Sequence, residues 1–254
     1  LHFENGTVVA LGKFEALHRG HRALASVAAE LGQPVLLCIS NVRETLGGAP
    51  RLPLTAPSDR EEILQSWIPH CKGLVVRERC IPFPLVRHMP PYEFIAMLVH
   101  SMRVSGIVAG RDYRFGHQAR GDSNTLLHLG HVFNIPVKVV DLVSDSESDD
   151  PHLGVLDPHF VPSKPVRSRK ERISSTKIRD QLLARSLDHV AWELGRPYCL
   201  TSRLDPIVIE SLTNTLNCFK ADAKATTMPP STLFNPSVPI LFSPFSPFSP
   251  FSPF

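Results

Sequence analysis

Thr7-Val8-Val9-Ala10-Leu11-Gly12-Lys13-Phe14-Glu15-Ala16-Leu17-His18-Arg19-Gly20-His21-Arg22 carries a short apolar strand into a glycine turn and out into a helix. The strand is Thr7 to Leu11, apolar and rich in β-branched residues. The helix, Arg22 to Leu31, repeats apolar residues at helical spacing through Leu24, Ala25, Val27, Ala28 and Leu31. A turn of this kind offers free backbone N–H groups and the positive end of a helix dipole, which together suit a phosphate. His18 and His21 add donors there that can also carry charge. A lone His-x-x-His is common, and most such pairs are ordinary surface or core histidines. This pair is set apart by Gly12 after a buried strand, Gly20 between the imidazoles, and the helix that follows. Zinc is the weaker reading, because no further ligands stand at metal-ligand spacing nearby.

The same alternation continues along the chain. Pro34 to Ile39 reads as a second buried strand, Gly73 to Val76 as a third, Gly106 to Ala109 as a fourth and Val137 to Val140 as a fifth. Between them lie a helix opened by a capping box at Ser58-Asp59-Arg60-Glu61, and a helix begun at Pro90-Pro91 with Phe94, Ile95, Leu98 and Val99 inward. A further helix is marked by Leu126, Leu127, Leu129 and Val132, and two short ones are expected at Thr176 to Ala184 and Leu187 to Leu194. Strands alternating with helices predict an α/β fold with a parallel sheet, whose ligands sit beyond the carboxyl ends of the strands where strand order reverses.

Composition narrows the class. The chain has 254 residues, a net charge of +3 and five scattered cysteines with no Cys-x-x-Cys. Such a small charge gives no argument for nucleic acid, and no apolar run reaches the roughly 18 residues of a membrane span. An odd cysteine count without a framework spacing predicts free thiols in a reducing compartment. The Ser144 to Asp150 stretch reads as a solvated acidic loop, and Lys164 to Arg172 as a basic one. Residues 1–204 are expected to form the folded domain. Residues 205–254, ending in repeated Ser-Pro-Phe, are expected to be a disordered tail.

Two further motifs join the first: Gly110-Arg111-Asp112-Tyr113-Arg114-Phe115-Gly116, and Arg172-Ile173-Ser174-Ser175-Thr176-Lys177-Ile178-Arg179. In this order, with Leu194-Gly195-Arg196-Pro197-Tyr198 behind them, they resemble the FMN adenylyltransferase (FAD synthetase) module of bifunctional riboflavin kinase/FMN adenylyltransferases. The Gly-Lys-Phe-x-Ala-Leu-His turn and the stretch Val86 to Phe94 look most like the plant-type plastidial forms. The resemblance implies a Rossmann-like nucleotidyltransferase fold, a parallel five-stranded sheet flanked by helices, in a plastid or chloroplast. It also implies transfer of AMP from ATP to FMN, giving FAD and pyrophosphate, with Mg2+ accompanying ATP and no metal site of the protein's own.

By the same resemblance, His18, His21 and Arg179 take the catalytic positions, and Gly12, Phe14, Glu15, Gly20, Arg172, Ser175 and Thr176 the ATP-binding ones. Asp112, Tyr113 and Phe115 fall at the FMN. Glu15 stands where the family has Asp and Ala16 where it has Gly. Cys38-Ile39-Ser40-Asn41 replaces the aromatic-and-proline stretch that walls the flavin after the second strand. No proline-threonine-alanine-asparagine run follows Tyr198, so no riboflavin kinase domain is expected. The alternatives are an adenylyltransferase for another phosphorylated acceptor, a catalytically degenerate nucleotide- or flavin-binding protein, and, last, a nucleic-acid binder working through the basic stretch. Oligomeric state is not legible in the sequence.

Overall fold

The computed structural model describes residues 2–49, 51–141 and 172–200. Five strands are all paired in parallel: β1 (Thr7–Gly12), β2 (Gln33–Ser40), β3 (Arg77–Pro82), β4 (Gly106–Gly110) and β5 (Val137–Val140). Their order is β3-β2-β1-β4-β5. The chain therefore winds outward from β1 to β3, then returns to the other side of β1 at β4. That reversal puts a crevice at the carboxyl ends of β1 and β4, where open parallel sheets hold their ligands. The central strand is buried on both faces, which is why it reads as a continuous apolar run. Val8 and Ala10 face one apolar layer, while Val9 and Leu11 face the other.

Among the described residues the helices are α1 (Arg19–Leu31), α2 (Val42–Thr45), α3 (Arg60–Gln65), α4 (Phe83–Val86), α5 (Pro91–Ala96), α6 (Ser123–Val132), α7 (Ser175–Leu183) and α8 (Leu187–Leu194). Leu24, Ala25 and Ala28 of α1 pack on Val8, Ala10 and Leu36, joined by Ile63, Leu64 and Trp67. On the opposite face Phe94, Ile95 and Leu98 meet Leu126 and Leu129 over Val9, Leu11 and Ile107. A third cluster joins Ile178 of α7 and Val190, Trp192 and Leu194 of α8 to Ala16 in the β1–α1 turn. This last cluster carries α7 to the crevice. The compact unit runs from Leu1 to Tyr198. No helix among the described residues is long and apolar enough to cross a membrane.

Several expectations are corrected. The third strand is Arg77–Pro82, not Gly73 to Val76. Lys72 and Gly73 turn the chain in left-handed conformations ahead of it, and Val76 is buried beneath the α1 face rather than in the sheet. An edge strand tolerates the charged run Arg77-Glu78-Arg79, so apolarity does not mark it. The Ser58 capping box does not form: a tight turn at Pro57–Asp59 leads into α3, and the Ser58 hydroxyl donates to Asp59. Leu127 and Val132 face solvent, at 38% and 51% exposure. Val99 does pack inward as expected, against the Phe94 and Leu98 layer, from a widened turn, Met97–Ser101, that prolongs α5. Cys38 and Cys80 lie opposite each other in the β2–β3 register and form a disulfide, so not all the cysteines are free thiols. Partnership between strands 42 residues apart leaves no trace in local spacing. The acidic stretch 144–150, the basic residues 164–171 and the tail 205–254 lie outside the described residues.

Candidate active site

The turn between β1 and α1 is built on two buried left-handed residues, Phe14 at φ +48° and Leu17 at φ +47°. Side chains other than glycine adopt this conformation only where their surroundings over-determine it. Phe14 is held by its ring. A Cβ at Gly12 would lie 2.9 Å from that ring, and His21 meets it edge-on with centroids 5.0 Å apart. Expected beside ATP, Phe14 is wholly buried and acts on the site from behind His21. His18 is the N-cap of α1: its Nδ1 accepts the backbone N–H of His21 at 3.3 Å. The imidazole thus fills the position Ser or Asp usually takes, with its proton on Nε2. The two imidazoles stack at 3.5 Å, and a Cβ at Gly20 would come within 3.2 Å of the His18 ring. The space that glycine leaves at 12 and 20 is used by the chain's own rings. Among the described residues, no hydrogen-bond partner meets the buried Nδ1 of His21.

Burial sets the charge state of both imidazoles. Burial above all, then the Arg196 guanidinium, lowers the His18 pKa to about 3. Burial, followed by His18, Arg60 and Arg196, pushes His21 well below the usual imidazole range. Both rings are neutral near pH 7, so of the two states open to these donors it is the uncharged N–H form that the fold selects. A depressed folded-state pKa gives stability that is complete above the unfolded value of 6.5 and is lost as pH falls toward 3. For His18 alone the full loss is on the order of 5 kcal/mol by linkage. The melting temperature is therefore expected to fall steeply below pH 6.5. His18→Asn, which keeps the cap but does not titrate, flattens that fall. Superimposable melting curves for the two proteins from pH 6.5 to 4.5 would rule this out.

The other wall comes from α7. Ser174 caps it, its Oγ accepting the Lys177 N–H at 3.2 Å. Ser175 and Thr176 stand in its first turn, and Arg179 follows on the next. Arg179 pairs with the carboxylate of Glu15 and also donates to the Leu52 carbonyl at 3.2 Å. Arg172 pairs with Asp112 in the loop after β4. All three sequence motifs thus converge: the third reaches the first through Glu15 and the second through Asp112. Behind α7, Lys177 lies 2.8 Å from Glu193 of α8, a carboxylate only 1% exposed. Each arginine rests on a carboxylate that an incoming phosphate can displace.

Beside the turn lies a cavity of about 580 Å³. Gly12, Lys13, Ile39, Phe83, Phe94, Tyr113 and Phe115 line it, with Arg87, His88, Arg114 and His117 as polar members. Tyr113 is half-buried, and burial pushes its phenol pKa upward, so it stays protonated. Its ring is near-parallel to that of Phe115, with centroids 6.2 Å apart; Phe115 in turn packs on Phe94. Sequence reasoning missed Phe83, Val86 and Leu46 on this wall. Phe83 and Pro84 do form an aromatic-and-proline stretch, but after the third strand rather than the second.

A family model for FAD synthetase matches residues 2–149. The chain belongs to that family. It is 40% identical over 200 residues to the chloroplastic FAD synthetase 1 of Arabidopsis thaliana, covering 78% of this chain and 54% of that protein. Chloroplastic FAD synthetase 2 of the same plant is 37% identical, with 79% and 52% covered. A bifunctional riboflavin kinase/FMN adenylyltransferase of Pseudomonas fluorescens is 29% identical over 207 residues, with 78% and 57% covered. The chain spans about half the length of these curated relatives. In fold it is similar to the crystal structure of a macrolide-efflux protein from Streptococcus pneumoniae. The TM-score is 0.56 at 24% identity, covering 77% of this chain and 66% of that one. The family match ends at residue 149, so Arg172, Ser175, Thr176 and Arg179 lie beyond it. For these residues the tie to the site is geometric, through Glu15 and Asp112.

Proposed function

We propose that this chain transfers AMP from ATP to FMN, giving FAD and pyrophosphate. The observation that carries the reading is the meeting of the neutral histidine turn and Arg179 at one crevice, beside a mostly apolar cavity sized for a small aromatic ligand. The FMN phosphate oxygen attacks the α-phosphorus of ATP in line. The bond from that phosphorus to the bridging oxygen breaks, and pyrophosphate leaves with the electron pair. No protein nucleophile is required, so catalysis rests on orientation and on stabilising charge on the phosphoryl oxygens. His18 and His21 donate as neutral imidazoles. Arg179 and Arg172 exchange their carboxylates for phosphate oxygens, with Ser175 and Thr176 on the same wall.

Asp112 and Tyr113 border the flavin, and Phe115 backs the Tyr113 ring. Mg2+ arrives as part of the ATP complex, where it supplies neutralising charge. By similarity to its chloroplastic relatives, the chain works in the chloroplast.

The test is pyrophosphate release by the purified chain with Mg-ATP and one of three acceptors: FMN, nicotinamide mononucleotide or phosphopantetheine. Release with FMN, together with FAD on chromatography, supports the reading. Release only with another acceptor, or ATP and FMN binding without turnover, refutes it.

A further inference from the structure

The carbonyl oxygens of Phe14, Glu15, Ala16 and Leu17 are all gripped by two arginines from distant parts of the chain. Arg60 donates to Phe14 at 2.8 Å and to Glu15 at 3.5 Å. Arg196 donates to Ala16 at 2.9 Å and to Leu17 at 2.7 Å. Both guanidiniums are themselves anchored. Arg60 meets Glu78 of β3 through two bonds, at 2.7 and 2.5 Å. Arg196 is buried and bonds Thr55, whose hydroxyl also donates to the Ala16 carbonyl at 3.2 Å.

No cis peptide bond occurs among the described residues. In a trans peptide unit the C=O and N–H point in opposite directions. With four consecutive carbonyls turned toward the arginines, the N–H groups of Glu15, Ala16, Leu17 and His18 leave from the other side. Among the described residues, no acceptor takes any of the four. Ala16, Leu17 and His18 are buried, and buried N–H groups are ordinarily paired. Successive free N–H groups form a concavity suited to an anion.

We propose that Arg60 and Arg196 are positioning residues that hold these four carbonyls outward and so aim the N–H groups of residues 15–18 at the phosphates of ATP. Neither touches the substrate, and the inference rests on the adenylyltransferase reading of the site. Their grip also explains how Phe14 and Leu17 keep left-handed backbones without glycine. Lysine cannot replace either arginine, because a single ammonium does not span two carbonyls with a rigid fork.

Calorimetric titration of the full chain with Mg-ATP and, separately, with FMN tests this. Arg60→Met and Arg196→Met are each expected to weaken ATP binding about tenfold or more. FMN binding stays within about twofold, and the lysine variants recover only part of the loss. Where a methionine variant does not fold, Glu78→Gln and Thr55→Val loosen the same arginines without removing them, and weaken ATP binding selectively. Folded variants that bind ATP like the parent overturn the proposal. So does equal weakening of both ligands, which marks a merely structural role. If the parent binds ATP, the variants do not, and FMN draws no pyrophosphate from the parent, the positioning role stands and the adenylyl-transfer reading fails. A parent chain that binds no ATP overturns both.

Discussion

Arg179→Ala is expected to lower kcat for FAD formation by roughly 10²–10³, about 3–4 kcal/mol of barrier, by analogy with the loss of a charge-stabilising donor. Two effects combine in that number. In the proposed reaction the variant loses a forked cation at the developing phosphoryl charge, and it leaves the Glu15 carboxylate without its partner at the turn proposed to bind phosphate. Adding Glu15→Gln separates them. If Arg179 served only to neutralise Glu15, the double variant would return to parental rate. If Arg179 meets the substrate, the double variant recovers only the repulsive part and stays at least tenfold slow, a coupling that a double-mutant cycle reads directly. Melting temperatures should move by a few degrees at most, because the Arg179 and Glu15 side chains are partly solvated, at 23% and 38% exposure. Full recovery in the double variant would remove Arg179 from the reaction.

The parts of this fold visible in the sequence are those whose signal is local. β1, β2 and β4 announce themselves as apolar runs, and α1 as a 3.6-residue repeat, because burial on a fixed face imposes those periods, while β5, at the far edge of the sheet, shows itself through three β-branched valines. β3 is invisible for the opposite reason: as an edge strand, only its Ile81 is buried. At the site, the stretch His18 to His21 is legible because cap, glycine and imidazoles lie within four residues. The gripping arginines are not, since their partners are backbone carbonyls, which every residue type carries. The Cys38–Cys80 pair and the Phe83 wall depend on strand register and on where a loop returns, and neither leaves a short-range pattern. The neutral state of His18 and His21 was equally hidden, because burial sets it.

Phe14→Ala is expected to cost about 3–5 kcal/mol of stability, the range for emptying a fully buried aromatic site. For a folded unit of this size that corresponds to a melting temperature lower by roughly 10 °C. The site cannot collapse easily, since Phe14 sits at a left-handed backbone fixed by Arg60 on one side and by β1 on the other. Its ring fills the space over Gly12, so Gly12→Ala creates the opposite fault, a methyl 2.9 Å from the Phe14 ring against a central strand that cannot retreat. That overpacking is worth about 1–3 kcal/mol. Combined, the two changes should cost less than the sum of their separate effects, because the new methyl enters space that the missing ring vacates. Thermal or denaturant unfolding of the four proteins gives the cycle. Strict additivity would mean that the ring and the glycine do not share the space described here. The same cycle followed by ATP binding asks whether His21, which leans edge-on against Phe14, keeps its place. A loss of affinity in Phe14→Ala that Gly12→Ala partly restores would tie the buried ring to the proposed phosphate site through His21.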